Sequence, residues 1–173
     1  MSTITQATVS LLVGSFAFFW FEVSNVSTRK FRAYYESNKS RLFWAPPGWL
    51  FGPAWGAWKI MIWLSFFFYA RDNNAFSVDI LCLWFINEVA RKYWTFFFMD
   101  IESRRIALGD CILTFGTALA LMVLLGIRGH LLSCLLLLGY TGWTLVACMW
   151  NYQLIDKQTN GGLAVPLRTS RLR

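Results

Sequence analysis

Apolar residues in this chain are gathered into long blocks, and polar residues are confined mostly to the gaps between them. Windows of apolar character run over 7–23, 48–69, 77–99, 109–126 and 131–155. Each is close to the roughly 20 residues that cross a bilayer core as a helix. The pattern predicts an all-α membrane protein, a bundle of five transmembrane helices joined by short loops. It divides the chain into a five-helix domain over 1–158 and a basic C-terminal tail over 159–173, where Asn160-Gly161-Gly162 and Pro166 interrupt any helix.

Composition agrees with the pattern. Hydrophobic residues make up 57% and charged residues only 14%, against about 25% charged in an ordinary soluble domain. The first six residues carry no basic charge, and the apolar stretch after them runs into Glu22 with no evident cleavage site. It reads as a retained span and not as a cleaved leader.

Charge then orients the bundle. In a five-span arrangement, 24–45, 100–108 and the C-terminal tail share one side. That side holds Arg29, Lys30, Arg32, Lys39, Arg41, Arg104, Arg105, Lys157, Arg168, Arg171 and Arg173, while the opposite side holds Arg71 and Arg128. Such a bias places the C-terminus in the cytosol, or in the matrix for an inner mitochondrial membrane. The net charge of +7 is accounted for by topology and anionic headgroups, and nucleic acid is not an expected partner.

Catalytic and metal chemistry find little support. Cys82, Cys111, Cys134 and Cys148 all fall inside apolar spans with no Cys-x-x-Cys spacing, so they read as packing residues and no metal site is expected. His130 stands alone between the fourth and fifth spans and reads as an interfacial residue. No phosphate-binding glycine loop and no catalytic triad is visible. An enzyme is not expected.

The segment Trp44-Ala-Pro-Pro-Gly-Trp-Leu-Phe-Gly-Pro-Ala-Trp55 carries the most specific pattern. Pro46 and Pro47 lack amide donors and hold the chain extended before the helix. Pro53, read as one turn inside the helix, predicts a bend. Trp44 and Trp49 suit the membrane–water boundary, where an indole can bury its ring and keep its N–H wet. This segment resembles the approach to the second helix of the TspO/MBR family, with Trp44, Pro46, Pro47, Trp49, Phe51, Pro53 and Trp55 in register. Tyr140, Trp143, Ala147, Asn151 and Tyr152 match the family's fifth-helix spacing, and Phe97-Phe98 and Ala107-Leu108-Gly109-Asp110 are weaker echoes. The resemblance spans about 7–158.

That resemblance implies a multi-pass, mitochondrial translocator-type protein whose bundle holds an apolar, tetrapyrrole or sterol-type ligand, with no covalent cofactor. Trp44, Trp49 and Trp55 would form one wall of the site, and Trp143, Ala147 and Asn151 the other. Flat ligands stack on indoles, and Asn151 offers a polar anchor. The chain departs from the family where Trp58-Lys59 replaces Leu-Tyr, where Gly139 replaces Pro, and where the third span reads Asn87-Glu88-Val89-Ala90-Arg91-Lys92.

Charges at such depth cost roughly 2.5–3.5 kcal/mol each on insertion scales, so they must face protein or water and find partners. Glu88 can pair with Arg91 or Lys92 in its own helix, and Lys59 has Glu88 or Asn87 at matching depth. A buried Lys59–Glu88 ion pair could be a structural clasp, a polar ligand site or a clamp to another subunit. Val146, Tyr152 and Lys157 fit the loose cholesterol-recognition pattern, and Tyr152 and Lys157 equally fit ordinary interface anchors. Gly52 and Gly56 allow close helix approach, within the chain or in a homodimer. The runs Phe66-Phe67-Phe68-Tyr69 and Phe96-Phe97-Phe98 read as lipid-facing surface. Two functions stay open: a ligand-binding translocator-like protein, or a structural accessory subunit of a larger mitochondrial or photosynthetic membrane complex with a filled pocket.

Overall fold

The computed structural model of the chain describes residues 27–39, 42, 44–73 and 77–159. The first expected span, 7–23, and the tail beyond 159 lie outside the described residues. Within them, helix α1 (Ser27–Asn38) is followed by a 3-10 turn (Gly48–Leu50). Four long helices come next: α2 (Phe51–Asn73), α3 (Val78–Met99), α4 (Arg104–Ile127) and α5 (Leu131–Thr159). No strand occurs among the described residues. The four long helices stand at the second to fifth expected spans. By length and composition α4 and the Leu131–Ile155 part of α5 can cross a membrane, whereas α2 and α3 are diluted by Lys59, Glu88, Arg91 and Lys92.

Local chemistry sets the helix ends. Pro47 precedes the 3-10 turn in an extended conformation (φ −56°, ψ 135°), and the Leu50 amide donates back to the Pro47 carbonyl at 2.9 Å. Helix α2 then begins at Phe51, so Pro53 lies in its first turn and not one turn inside. First-turn amides have no intrahelical acceptor, so a proline there removes nothing the helix needs, and the expected reason for a bend disappears. At the other end of the bundle, Gly129 closes α4 with φ +82°. The His130 amide reaches the Leu125 carbonyl at 2.9 Å and the Gly129 amide reaches Gly126 at 3.1 Å, a Schellman closure that calls for a left-handed residue.

Helix α4 packs along α3 on one side and α5 on the other, and α5 also packs along α2. Among the described residues the apolar interior falls into two clusters. One, toward Ile62, Ile80, Leu121, Leu125, Leu137 and Tyr140, fills the middle and the α4–α5 turn end. The other, at the opposite end, joins Tyr34 and Tyr35 of α1 to Phe98, Ala107, Trp150 and Leu154. The 24–45 region is therefore more than a basic loop, because α1 is seated on the bundle end. The Tyr35 hydroxyl donates to the Pro46 carbonyl, and its ring meets Phe51 at 4.9 Å and Trp150 at 5.3 Å. Arg104 is buried, lies over the Tyr34 and Phe98 rings, and donates to the Tyr34 hydroxyl at 3.0 Å. Thus α1, the α3–α4 connection and the later part of α5 share one end of the bundle.

Two aromatic runs read as lipid-facing are divided by the fold. Phe66, Tyr69 and Phe98 are buried, while Phe96 is exposed. Phe66 stacks on Trp84 of α3 at 4.8 Å, and Phe98 stacks on Trp94 at 5.1 Å. A helix turns 100° per residue, so consecutive aromatics cannot all face one way.

Candidate functional site

Helices α2 and α5 run antiparallel, and a sequence of contacts zips them together. Phe51 meets Trp143 edge-on at 5.9 Å and Trp150 at 6.1 Å. Trp55, one turn on, meets Trp143 at 6.4 Å with planes at 86°. Trp58 then lies over Gly139, and Ser65 donates to the Ser133 carbonyl at 2.8 Å. Edge-to-face contacts of this kind set the negative ring face against a positive edge, worth about 0.5–1.5 kcal/mol each beyond area burial. The seam is aromatic because its residues recur at three- and four-residue steps on both helices, which places them on one stripe.

The expected site residues divide on this seam. Trp55 and Trp143 touch. Ala147, half-buried, and Asn151, fully buried, follow Trp143 at successive turns of α5. Trp44 and Trp49 are exposed just ahead of α2, as an interfacial indole would be. Asn151 Nδ2 donates to the Arg104 carbonyl at 3.4 Å. Among the described residues, the buried Asn151 Oδ1 and Trp143 Nε1 have no hydrogen-bond partner. Unpaired buried polar atoms cost about 1–3 kcal/mol each; Trp143 Nε1 belongs to the seam residue that meets Trp55, whereas Asn151 reaches Arg104 of α4.

A separate polar centre joins α3, α4 and α5. Asn87 Nδ2 donates to the Thr114 carbonyl and to Thr117 Oγ1, both at 2.8 Å. The Tyr140 hydroxyl donates to Asn87 Oδ1 at 2.8 Å. Sequence reasoning offered Asn87 only as a partner for Lys59; its spacing to Thr117 and Tyr140 could not be seen before the helices were set side by side.

Helices α2 and α3 form the third region. Lys59, Trp63 and Phe66 of α2 face Trp84, Glu88 and Arg91 of α3 across a half-open cleft of about 20 Å³. That is room for about one water. Glu88 pairs with Arg91 within α3, the two side chains being 6% and 14% exposed. Lys59 shares the cleft with this pair, so the charges meet on the α3 side of α2 and not on its aromatic α5 side.

The remaining candidates lie apart from these regions. Val146 is half-buried and Tyr152 exposed on α5; the side chain of Lys157 lies outside the described residues. Gly52 and Gly56 are exposed, and a Cβ added to either would meet nothing within 4 Å. The four cysteines are free thiols, with Cys111 and Cys148 buried and Cys82 exposed. Among the described residues, no group of three or more His, Cys, Asp or Glu side chains comes together as metal ligands would. His130 packs edge-on against Tyr69 at 4.9 Å.

An all-helical bundle with apolar crossing helices, a proline-punctuated approach to α2 and an indole-lined α2–α5 seam defines a polytopic membrane protein of the tryptophan-rich type. The model of the TspO/MBR family matches residues 7–156, and the chain belongs to that family. It is 26% identical over 155 residues to the Tryptophan-rich protein TspO of Archaeoglobus fulgidus, a match covering 87% of this chain and 94% of the relative.

Proposed function

We propose that this protein is a five-span, translocator-type membrane protein that binds an apolar ligand of tetrapyrrole or sterol class between α2 and α5, with Trp55, Trp143, Ala147 and Asn151 as its contact residues. The observation that carries the reading is the Trp55–Trp143 contact, in which the buried Trp143 Nε1 has no partner among the described residues. A flat ring inserted at this seam exchanges indole–indole contact for indole–ligand stacking. A carbonyl or hydroxyl on that ring can satisfy an atom that is otherwise buried without a partner. No bond-making step is assigned, and the role is binding. The basic residues around α1, the α3–α4 connection and the tail set that end of the bundle on the cytosolic or matrix side, in a mitochondrial membrane.

The test is titration of the detergent-solubilised protein with protoporphyrin, read by tryptophan quenching. Saturation at roughly micromolar ligand, about −8 kcal/mol, is expected. Trp143→Ala should weaken binding by about 1 kcal/mol, the scale of a lost aromatic contact. Saturable binding that is indifferent to changes at both Trp55 and Trp143 places the ligand elsewhere.

A second reading, an accessory subunit of a larger membrane complex, is favoured by the buried charges of the α2–α3 cleft, which suit a fixed partner helix or a clasp. Blue-native electrophoresis from the native membrane separates the two. Migration as a monomer or homodimer supports the receptor, and comigration with a large respiratory or photosynthetic assembly supports the subunit.

A further inference from the structure

Trp58 lies directly against the backbone of Gly139 on the α2–α5 seam. A Cβ built on Gly139 would stand 2.5 Å from Cζ3 and 2.6 Å from Cη2 of the Trp58 ring. No real Cβ contact is that short, and the atoms it would meet belong to the rigid six-membered ring of the indole. Glycine inside a helix costs about 1 kcal/mol against alanine. Here it directly follows the leucine run Leu135–Leu138 of α5, where an apolar side chain is the obvious occupant. The missing side chain makes a notch, and the indole fills it.

Trp58 Nε1 is buried and has no hydrogen-bond partner among the described residues, although a buried indole N–H ordinarily finds one. The notch lies one turn along from the Trp55–Trp143 contact on both helices. Both faces of the space that a flat ring would take between α2 and α5 are therefore already aromatic or recessed.

We propose that the Gly139 notch is a binding subsite for a planar aromatic ring of indole size, and that Trp58 is its built-in occupant, displaced when a flat ligand enters between α2 and α5. The part that concerns ligand entry rests on the function proposed above; the subsite itself does not. Trp58 thereby sets which ligands the seam admits: a ring must compete with a tethered indole that already fits. Because the Trp58 N–H is unsatisfied in the notch, swinging out toward a hydrogen-bond acceptor returns part of the cost of leaving.

The experiment uses the full chain in detergent and free indole as the probe. Trp58→Ala vacates the notch, and indole should bind this variant saturably, raising its melting temperature, about tenfold more tightly than it binds the parent. A folded Trp58→Ala protein that indole does not stabilise overturns the proposal. If that variant fails to fold, Gly139→Ala in protein labelled with 5-fluorotryptophan decides the matter. The added methyl must expel the ring, so the fluorine resonance of Trp58, assigned by Trp58→Phe, should shift while those of distant tryptophans stay. An unmoved Trp58 resonance overturns the proposal equally. Porphyrin binding plays no part in either readout: failure of porphyrin to bind, with indole rescue intact, would sink the receptor reading alone.

Discussion

Among the described residues, helix α2 meets α5 and α3 through different chemistry. Toward α5 it presents Phe51, Trp55 and Trp58 to Trp150, Trp143 and Gly139, a largely aromatic seam. Toward α3 it presents Lys59 and Phe66 to Glu88, Arg91 and Trp84 across an open cleft. The aromatic seam is stabilised by many small contacts, each worth little alone, and it can part and close again without stranding a charge. The charged cleft depends on a few groups, none of which can be removed singly without leaving its counterpart buried. A seam of the first kind is suited to admitting a ligand, and a cleft of the second kind to fixing two helices.

Changes in the cleft should therefore cost most. Glu88→Ala leaves Arg91 buried without its carboxylate and should destabilise the bundle by about 3–5 kcal/mol, measured by denaturant titration in mixed micelles. The combined change of Lys59→Tyr with Glu88→Leu and Arg91→Leu removes charges of both signs without stranding Arg91, and porphyrin affinity then tells the regions apart. If the aromatic seam is the ligand site, affinity changes little. If the cleft obstructs binding, a parent that binds poorly should gain affinity in the combined variant.

Asn87→Leu comes next. It leaves the Tyr140 hydroxyl and Thr117 without their shared partner and should cost about 1–3 kcal/mol. A loss no larger than a surface change would show that water replaces the amide readily. In the seam, Trp55→Leu should cost less stability than either, since one edge-to-face contact contributes about 0.5–1.5 kcal/mol, while affecting ligand quenching more than any cleft substitution does.

The smallest effect is expected where α1 seats on the bundle end. Burial, reinforced by the neighbouring Glu36 carboxylate, pushes the Tyr35 hydroxyl up to about 12, above the ordinary value near 10. The folded state thus holds this proton more tightly than the unfolded state does. Its contribution is fully present below about pH 10 and is lost as pH rises through about 12. Near-ultraviolet circular dichroism should show α1 loosening across that window, and Tyr35→Phe should abolish the step. A step that persists in the variant assigns the titration to another group.

Much of this protein is written in its linear pattern. The positions of α2 to α5, their lack of strands and the family to which the chain belongs all follow from local signals. These are blocks of apolar residues near the length of a membrane span, Pro46 and Pro47 ahead of a helix, and a tryptophan and proline spacing that few other folds require. The i,i+3 step from Glu88 to Arg91 is local too, which is why that pairing could be anticipated. Tertiary structure alone decided which side of α2 each residue faces. Helix α2 is apolar nearly all round, so no polar stripe marks its interior face. The separation of Trp55 from Lys59 into seam and cleft, the exposure of Trp44 and Trp49, and the burial of Phe66 emerge only when α5 and α3 take their places. The same holds for Trp58 and Gly139. In the sequence they are two unrelated departures from a family pattern, 81 positions apart. In the folded chain the side chain added at one fills the space left at the other, because packing conserves volume across a contact and not along a chain.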